Sequence, residues 1–443
     1  MARILFSLLL TATLLLSAQA SARLLWHTEG ALNEAGQQLQ HLLLFDERTL
    51  AAMSPAERDD WLTQEWRAVL KARERFAQYT LPAHWRTEGF EQAIRQQHLT
   101  AYMADQAPDY HGYRELQRHY HRLANVTDYT PLPPGPEVRP GERDGAIPAL
   151  RQRLAELGRH VPAPVGRADV LDPPLSETLA ALQRAGGLEV TGGLNQATRA
   201  LINRSPAELR AEIKTNLRRW LRLPPATRDY VLINIPSYRL TLVREGRPQL
   251  AMKVIVGRPD WPTPELATHI DALKVNPDWT PTANIVREDL LPAQQRDAGY
   301  LDRNGFAAWL PGENTPVLPS SIDWHRPPPG LRLVQQPGPA NALGRLKFEM
   351  QNRHSVYLHD TPDKSLFGRD RRALSHGCVR LAEPDALASG LGWQVPEHER
   401  TQVLPPPERL PVYMVYFTAW SEGGSLVFAG DVYGKNRTAN EAG

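Results

Sequence analysis

The chain has 443 residues, 42% of them hydrophobic, and its 51 basic and 49 acidic side chains give a net charge of +2. That length suggests about two to four domains, and the apolar content suffices for ordinary globular cores. With Arg and Glu interspersed along the chain, a balance this near neutral leaves no basic footprint for nucleic acid and reads as a mixed solvated surface.

Residues 1–22 carry the marks of a signal peptide. Arg3 gives a positive start, Ile4 to Leu16 is a mainly apolar run, and Ala18-Gln19-Ala20 is a small-x-small cleavage site, with Ala20-Ser21-Ala22 as a second option. The run is shorter than the roughly 20 residues a spanning helix needs, so export without stable membrane insertion is expected. An exported chain normally invites disulfides, but Cys378 is the one cysteine here. Its thiol is therefore either accidental or a working nucleophile.

Residues 23–130 read as a helical scaffold. Ser54-Pro55-Ala56-Glu57 is a helix start, with Ser as cap and Pro in the first turn, and Trp61, Trp66, Val69 and Leu70 follow at helical spacing. Tyr113, Leu116, Tyr120 and Leu123 repeat the pattern. His119 and His121, with no clustered carboxylate or thiol, read as solvated or core residues rather than metal ligands. Pro131-Leu132-Pro133-Pro134-Gly135-Pro136 opens a stiff linker over 131–140.

Residues 141–204 form a compact helical module. Ile147, Leu150, Leu154 and Leu157 share a helical face that Gly158 stops, Leu175 to Ala185 gives a second helix, and Thr198 to Ile202 begins a third. The loop between the last two, Gly187 to Asn195, is rich in turn residues. The pattern resembles the peptidoglycan-binding domain family, with Thr191-Gly192 where the family has Asp-Gly. That departure leaves wall binding and a purely structural role both open. A connecting helix is expected over 205–228.

From residue 229 the periodicity changes. Val231 to Ile235 is a buried-strand run, Tyr238 to Val243 alternates, Glu245-Gly246 is a hairpin turn, and Leu250 to Val256 returns as the partner strand. Val412 to Phe417 and Ser425 to Phe428, joined through Glu422-Gly423-Gly424, read as closing strands. Residues 281–330 are expected as an insertion between sheet elements, and residues 437–443 as a flexible tail. The fold class that follows is α+β multidomain: a helical scaffold and a small helical module, then a β-rich catalytic domain.

The chemistry concentrates in Ser375-His376-Gly377-Cys378-Val379-Arg380 and, upstream, Tyr357-Leu358-His359-Asp360. A thiolate becomes a nucleophile when a nearby base takes its proton, and His359 could supply that base. Gly377 permits a tight turn in which main-chain amides at Gly377 and Cys378 face a developing oxyanion. No phosphate-binding glycine loop, paired cysteines or HExxH spacing appears, so neither a cofactor nor a metal is expected.

This pattern resembles the L,D-transpeptidase catalytic domain: a His, a gap spanned here by residues 360–374, then Ser-His-Gly-Cys, a hydrophobic residue and Arg. Val256-Gly257-Arg258-Pro259 with Thr263-Pro264, Val275-Asn276-Pro277-Asp278-Trp279, and Pro337-Gly338-Pro339-Ala340-Asn341-Ala342-Leu343-Gly344 resemble further segments of the family. Together they span about 229–436, most like the longer Gram-negative branch. The resemblance implies a mixed β-sandwich with a lid over the cleft, a periplasmic location and acylation by carbapenems. It also implies transfer of a tetrapeptide donor onto a second peptidoglycan stem through Cys378, with loss of D-Ala. His359 would be general base and acid, and Gly377 a backbone oxyanion donor. Among the substrate-side residues, Ser375 is a structural hydrogen bonder, His376 shapes the oxyanion site or packs, Arg380 holds a substrate carboxylate or braces the loop, and Tyr357 faces the cleft or the core. Water in place of the acceptor amine would make the same site a carboxypeptidase.

Overall fold

The computed structural model describes residues 24–79, 81–126, 130–224, 227–397 and 400–436. The expected signal peptide and the tail at 437–443 lie outside these. The chain divides into two compact units, and among the described residues no helix is long and apolar enough to cross a membrane.

The first unit takes residues up to Glu74 together with Pro82–Ala107. A short hairpin, β1 (His27–Thr28) and β2 (Ala31–Leu32), precedes helices α1 (Glu34–Leu43), α2 (Pro55–Phe76), α3 (Thr87–Arg95) and α4 (Leu99–Ala104). The start of α2 is a reciprocal cap: Glu57 N–H donates to Ser54 Oγ, and Ser54 N–H donates to the Glu57 carboxylate at 2.7 Å. Trp66 and Leu70 are buried as the spacing predicts, beside Leu62, Trp26 and Phe90.

The second unit contains the rest of the chain. Helix α5 (His111–Ala124) buries Tyr113, Leu116, Leu123 and also His119. Three helices, α6 (Ile147–Glu156), α7 (Pro173–Gly186) and α8 (Gln196–Ile202), build the small module, and α9 (Pro206–Trp220) follows behind a Ser205/Glu208 capping box. The module turns on Gln183. Its Oε1 accepts the Thr191 and Gly192 N–H groups, and its Nε2 donates to Gly193 C=O and Thr198 Oγ1.

The Pro-rich segment at 131–140 differs from the expected spacer. Asn203 holds both main-chain groups of Leu132 at 2.9 Å, Arg199 donates to the carbonyls of Pro133 and Pro136, and Val138 bridges Leu194. Proline carbonyls have no partner N–H in their own segment, and side chains of α8 and its C-terminal end supply the donors. The segment is thus part of the module's wall.

Fifteen strands follow: β3 (Tyr230–Asn234), β4 (Arg239–Arg244), β5 (Arg247–Gly257), β6 (Leu266–His269), β7 (Ala272–Val275), β8 (Phe306–Trp309), β9 (Arg332–Gln335), β10 (Leu346–Glu349), β11 (Leu358–His359), β12 (Ala373–Ser375), β13 (Val379–Leu381), β14 (Gln402–Leu404), β15 (Pro411–Val415), β16 (Ala419–Glu422) and β17 (Ser425–Phe428). One mixed sheet runs β14-β7-β10-β11-β13-β5-β4-β3-β15-β6, with β12 added alongside β5. The β4–β5 turn falls at Glu245-Gly246, where both φ angles are positive as a two-residue hairpin turn requires. Strand β6 closes one end of the path and β7 lies near the other, yet only Ile270 and Asp271 join them, so the sheet curls over until its ends approach. Val231, Leu242, Val254, Leu266, Leu273 and Phe348, from all along the path, pack in one core inside the curl. The hairpin β16–β17 stands apart from this sheet instead of closing it. Its Ser421 hydroxyl meets His119 Nε2 at 3.2 Å, so it packs against α5.

Candidate active site

Strands β11 and β13 run parallel, with Leu358 opposite Val379 and His359 opposite Arg380. Continuing that register places Tyr357 beside Cys378, and Val379 N–H donates to Tyr357 C=O at 3.1 Å. Alternation along a strand puts Tyr357 and His359 on one face, with ring centroids 5.6 Å apart. That face opens into a cavity of about 830 Å³, and all seven residues singled out in the sequence, Tyr357, His359, Ser375, His376, Gly377, Cys378 and Arg380, line it.

His359 is buried, with 5% of its surface exposed. Its Nδ1 lies in hydrogen-bond contact with the main-chain carbonyl of Asp360. A carbonyl only accepts, so the proton sits on Nδ1 and Nε2 is left as the basic nitrogen. Burial, and then the charge of Arg380, push the imidazole pKa down to about 3. Burial likewise pushes the Cys378 thiol up, although Tyr357 and the charges of Lys347 and Arg380 pull the other way. Both shifts favour the uncharged forms, thiol and imidazole. The Tyr357 hydroxyl lies within reach of both the Cys378 sulfur and the Trp279 indole N–H.

The Asp360 carboxylate braces the carbonyl that holds His359. It accepts the N–H groups of Arg345 (2.9 Å) and Thr361 (2.7 Å) and pairs with Lys364 Nζ at 2.5 Å. Sequence reasoning gave Asp360 no role, although it is adjacent to the histidine in the quoted motif.

The turn that carries Cys378 is held from within. Gly377 has φ +112°, a conformation other residues rarely adopt. Ser375 Oγ accepts Gly377 N–H at 3.1 Å and donates to Cys378 C=O at 2.6 Å. The Gly377 N–H, expected to face a developing oxyanion, is thus engaged by Ser375 inside the turn. Thr263, fully buried, accepts Gly257 N–H and donates to Gly377 C=O, both at 2.8 Å.

The insertion has its own core, with Leu290, Leu301, Phe306, Ala308, Trp324 and Leu333 packed together. It is closed by the β8–β9 hairpin, so it runs on to Gln335, past the expected end near 330. Asn341 ties down its base by donating to the carbonyls of Pro277 and Gln336 at 3.0 Å. A π-helical turn, Val286–Leu290, faces the turn that carries Cys378. There Asp289 Oδ2 approaches His376 Nε2 at 3.0 Å, and Glu288 approaches Arg258 at 3.5 Å. Burial pushes the His376 pKa down while Asp289 pulls it up. His376 also packs edge-on to Trp261. Arg380 presents its guanidinium to the cleft, with Asp363 and Asp289 as the nearby carboxylates. No group of three or more metal-ligating side chains occurs among the described residues.

A curled mixed sheet carries the His/Cys cleft beside the insertion, and residues 228–389 match the family described as the L,D-transpeptidase catalytic domain (YkuD). Over those residues the chain is similar to the YkuD-type L,D-transpeptidase catalytic domain. It is 37% identical over 233 residues to the "Putative L,D-transpeptidase" of Haemophilus influenzae, an alignment covering 50% of this chain and 47% of that protein. The chain therefore spans about half the length of the curated relative it matches. Among solved structures, an L,D-transpeptidase from Mycobacterium smegmatis shares 13% identity over 42% of this chain and 58% of that one, with a TM-score of 0.24. The L,D-transpeptidase from Xylanimonas cellulosilytica shares 15% over 64% and 99%, with a TM-score of 0.22. At such scores neither superposition adds to what the chain's own geometry states.

Proposed function

We propose that the protein is an exported, periplasmic L,D-transpeptidase that forms 3→3 cross-links between peptidoglycan stems through an acyl-enzyme on Cys378. The observation that carries this reading is the fixed tautomer of His359: with Nδ1 bound to Asp360, its basic Nε2 belongs to the cleft that holds the thiol.

The third-residue carbonyl of a tetrapeptide donor meets Cys378. As sulfur bonds to carbon, His359 Nε2 takes the thiol proton. The oxyanion is received by the Cys378 amide, since the Gly377 amide is committed, and by the Tyr357 hydroxyl. Collapse breaks the bond to D-Ala, whose amine leaves with the proton from His359. The side-chain amine of a second stem then attacks the thioester and gives its proton to His359. The thiolate departs and recovers that proton.

Two alternatives share the same residues: an L,D-carboxypeptidase or endopeptidase, in which water takes the place of the amine, and a wall-binding scaffold without turnover. The lid, with its own core and its contacts to the nucleophile turn, favours the first reading because it would keep water from the thioester.

Protein lacking residues 1–22 is incubated with purified disaccharide-tetrapeptide and followed by mass spectrometry, with Cys378→Ala alongside. A dimer lighter than two donors by one D-Ala, absent from the variant, supports the proposal. A donor shortened by D-Ala without dimer moves the reading to carboxypeptidase. Absence of turnover together with absence of a carbapenem adduct on Cys378 leaves the scaffold.

A further inference from the structure

Downstream of the matched catalytic domain, residues 429–436 run back across the molecule. Gly430 N–H donates to Ala185 C=O in α7 of the small module at 3.0 Å. Asp431 accepts from the Tyr416 hydroxyl at 2.6 Å and from the N–H groups of Lys435 and Asn436 at 2.8 Å. Asn436 in turn meets Thr418 Oγ1 and Arg219 Nη2. The segment is therefore fastened at both ends, and Tyr433 lies between the fastenings. Its ring stacks on Tyr416 at 5.6 Å, and its N–H donates to the Tyr416 hydroxyl at 2.7 Å.

The Tyr433 hydroxyl has two partners. It donates to Gly257 C=O at 2.6 Å and accepts Thr263 N–H at 3.2 Å. Gly257 and Thr263 are the residues that grip the nucleophile turn: Thr263 Oγ1 links Gly257 N–H to Gly377 C=O, and Gly257 sits opposite Ser375 in the β5–β12 pairing. Contact here is close. A Cβ on Gly257 would stand 2.0 Å from Trp261 O and 3.1 Å from the Gly377 Cα. With no side chain possible at Gly257, its position rests on its main-chain bonds, and Tyr433 supplies the one to its carbonyl.

We infer that Tyr433 is a positioning residue for the nucleophile turn, acting through Gly257 and Thr263 to set where the Cys378 sulfur and amide stand. The inference rests on Cys378 being the nucleophile. A displaced nucleophile loses rate without losing substrate affinity, because near-attack geometry is what the clamp supplies. Displacement also takes the sulfur away from the Tyr357 main-chain N–H and hydroxyl, which favour the thiolate, and so raises the thiol pKa.

The test compares full-length wild type with Tyr433→Phe, Thr263→Val and Thr263→Ser. Two readouts are taken: kcat and KM for D-Ala release from disaccharide-tetrapeptide, and the pH dependence of Cys378 alkylation by iodoacetamide, followed by intact mass. Tyr433→Phe and Thr263→Val are expected to lower kcat about tenfold with KM changed less than about twofold, and to move the alkylation midpoint to higher pH. Thr263→Ser, which keeps the hydroxyl, is expected to restore both. Wild-type kcat and midpoint in Tyr433→Phe would overturn the inference, as would a loss of activity that follows thermal stability alone. If wild type itself turns over no tetrapeptide, the transpeptidase reading fails, while the alkylation profiles still decide whether Tyr433 sets the turn.

Discussion

His359 donates its Nδ1 proton to the carbonyl of Asp360, the residue that follows it in the chain. The orienting acceptor is thus main chain, and what secures it is a carboxylate held by Arg345, Thr361 and Lys364. Asp360→Ala removes that brace and leaves the two amides unmet. It is expected to lower kcat by about tenfold or more and to cost about 2 kcal/mol of stability. Steady-state kinetics and urea unfolding measure both, and unchanged kcat would show that the carbonyl needs no brace.

The raised thiol of Cys378 predicts a slow resting enzyme. At pH 7, alkylation by iodoacetamide is expected to be several-fold slower than for a free cysteine thiol, since only the thiolate reacts. The rate should keep climbing above pH 9. A plateau below pH 7 would instead reveal a preformed thiolate–imidazolium pair.

Two buried histidines make stability fall in acid. The folded pKa of His119 is lowered to about 4 and that of His359 to about 3, chiefly by burial. Unfolding restores both toward 6.5, so the unfolded chain binds more protons and stability declines as pH drops below 6.5 toward those values. Each group contributes a slope of about 1.4 kcal/mol per pH unit inside its window. His119→Gln should remove one such slope between pH 6.5 and about 4 in urea unfolding curves.

The contacts between the insertion and the turn at 375–378 are expected to govern product partition more than stability. Asp289→Asn removes the charge facing His376, a half-exposed pair whose loss should cost less than about 1 kcal/mol. The share of donor hydrolysed rather than cross-linked is expected to rise several-fold as water gains entry. Mass spectrometry of the product ratio checks this, and an unchanged ratio would mean that the lid closes without the pair.

Leu301 is fully buried in the lid's own core. Leu301→Ala should destabilise that core by on the order of 3 kcal/mol. Hydrogen exchange should quicken across residues 283–309 and stay unchanged in β3–β5. Uniform acceleration would instead make the insert inseparable from the main sheet.

Much of the site was legible because it is written locally. Ser375 to Arg380 form one turn and the start of one strand, and the spacing from His359 is what lets β11 and β13 lie side by side. Glu245-Gly246 was equally readable, since a two-residue turn needs only its own φ angles. What escaped depends on partners distant in the chain. Gly377 was read as an oxyanion donor because nothing in a sequence says that Ser375 Oγ will take its amide. Pro131 to Pro136 read as a spacer because the donors that dock it, Arg199 and Asn203, come from the far side of the module. The β16–β17 hairpin alternates like any sheet strand, and its pairing with α5 rather than the main sheet is a matter of packing alone.

The bond from Tyr433 to Gly257 also has a bearing on the order of assembly. Synthesis runs from the amino end, so Cys378 is made well before the residue that completes the clamp on its turn. A nascent chain that has reached β15 already holds the thiol, the histidine and most of the sheet, but its turn is not yet fully gripped. The last clamp on the turn arrives late, and until then the position of the cysteine is not fully set. Chains cut short between Tyr416 and Val432 should therefore carry the whole motif and the main sheet but turn over donor more slowly than the full chain.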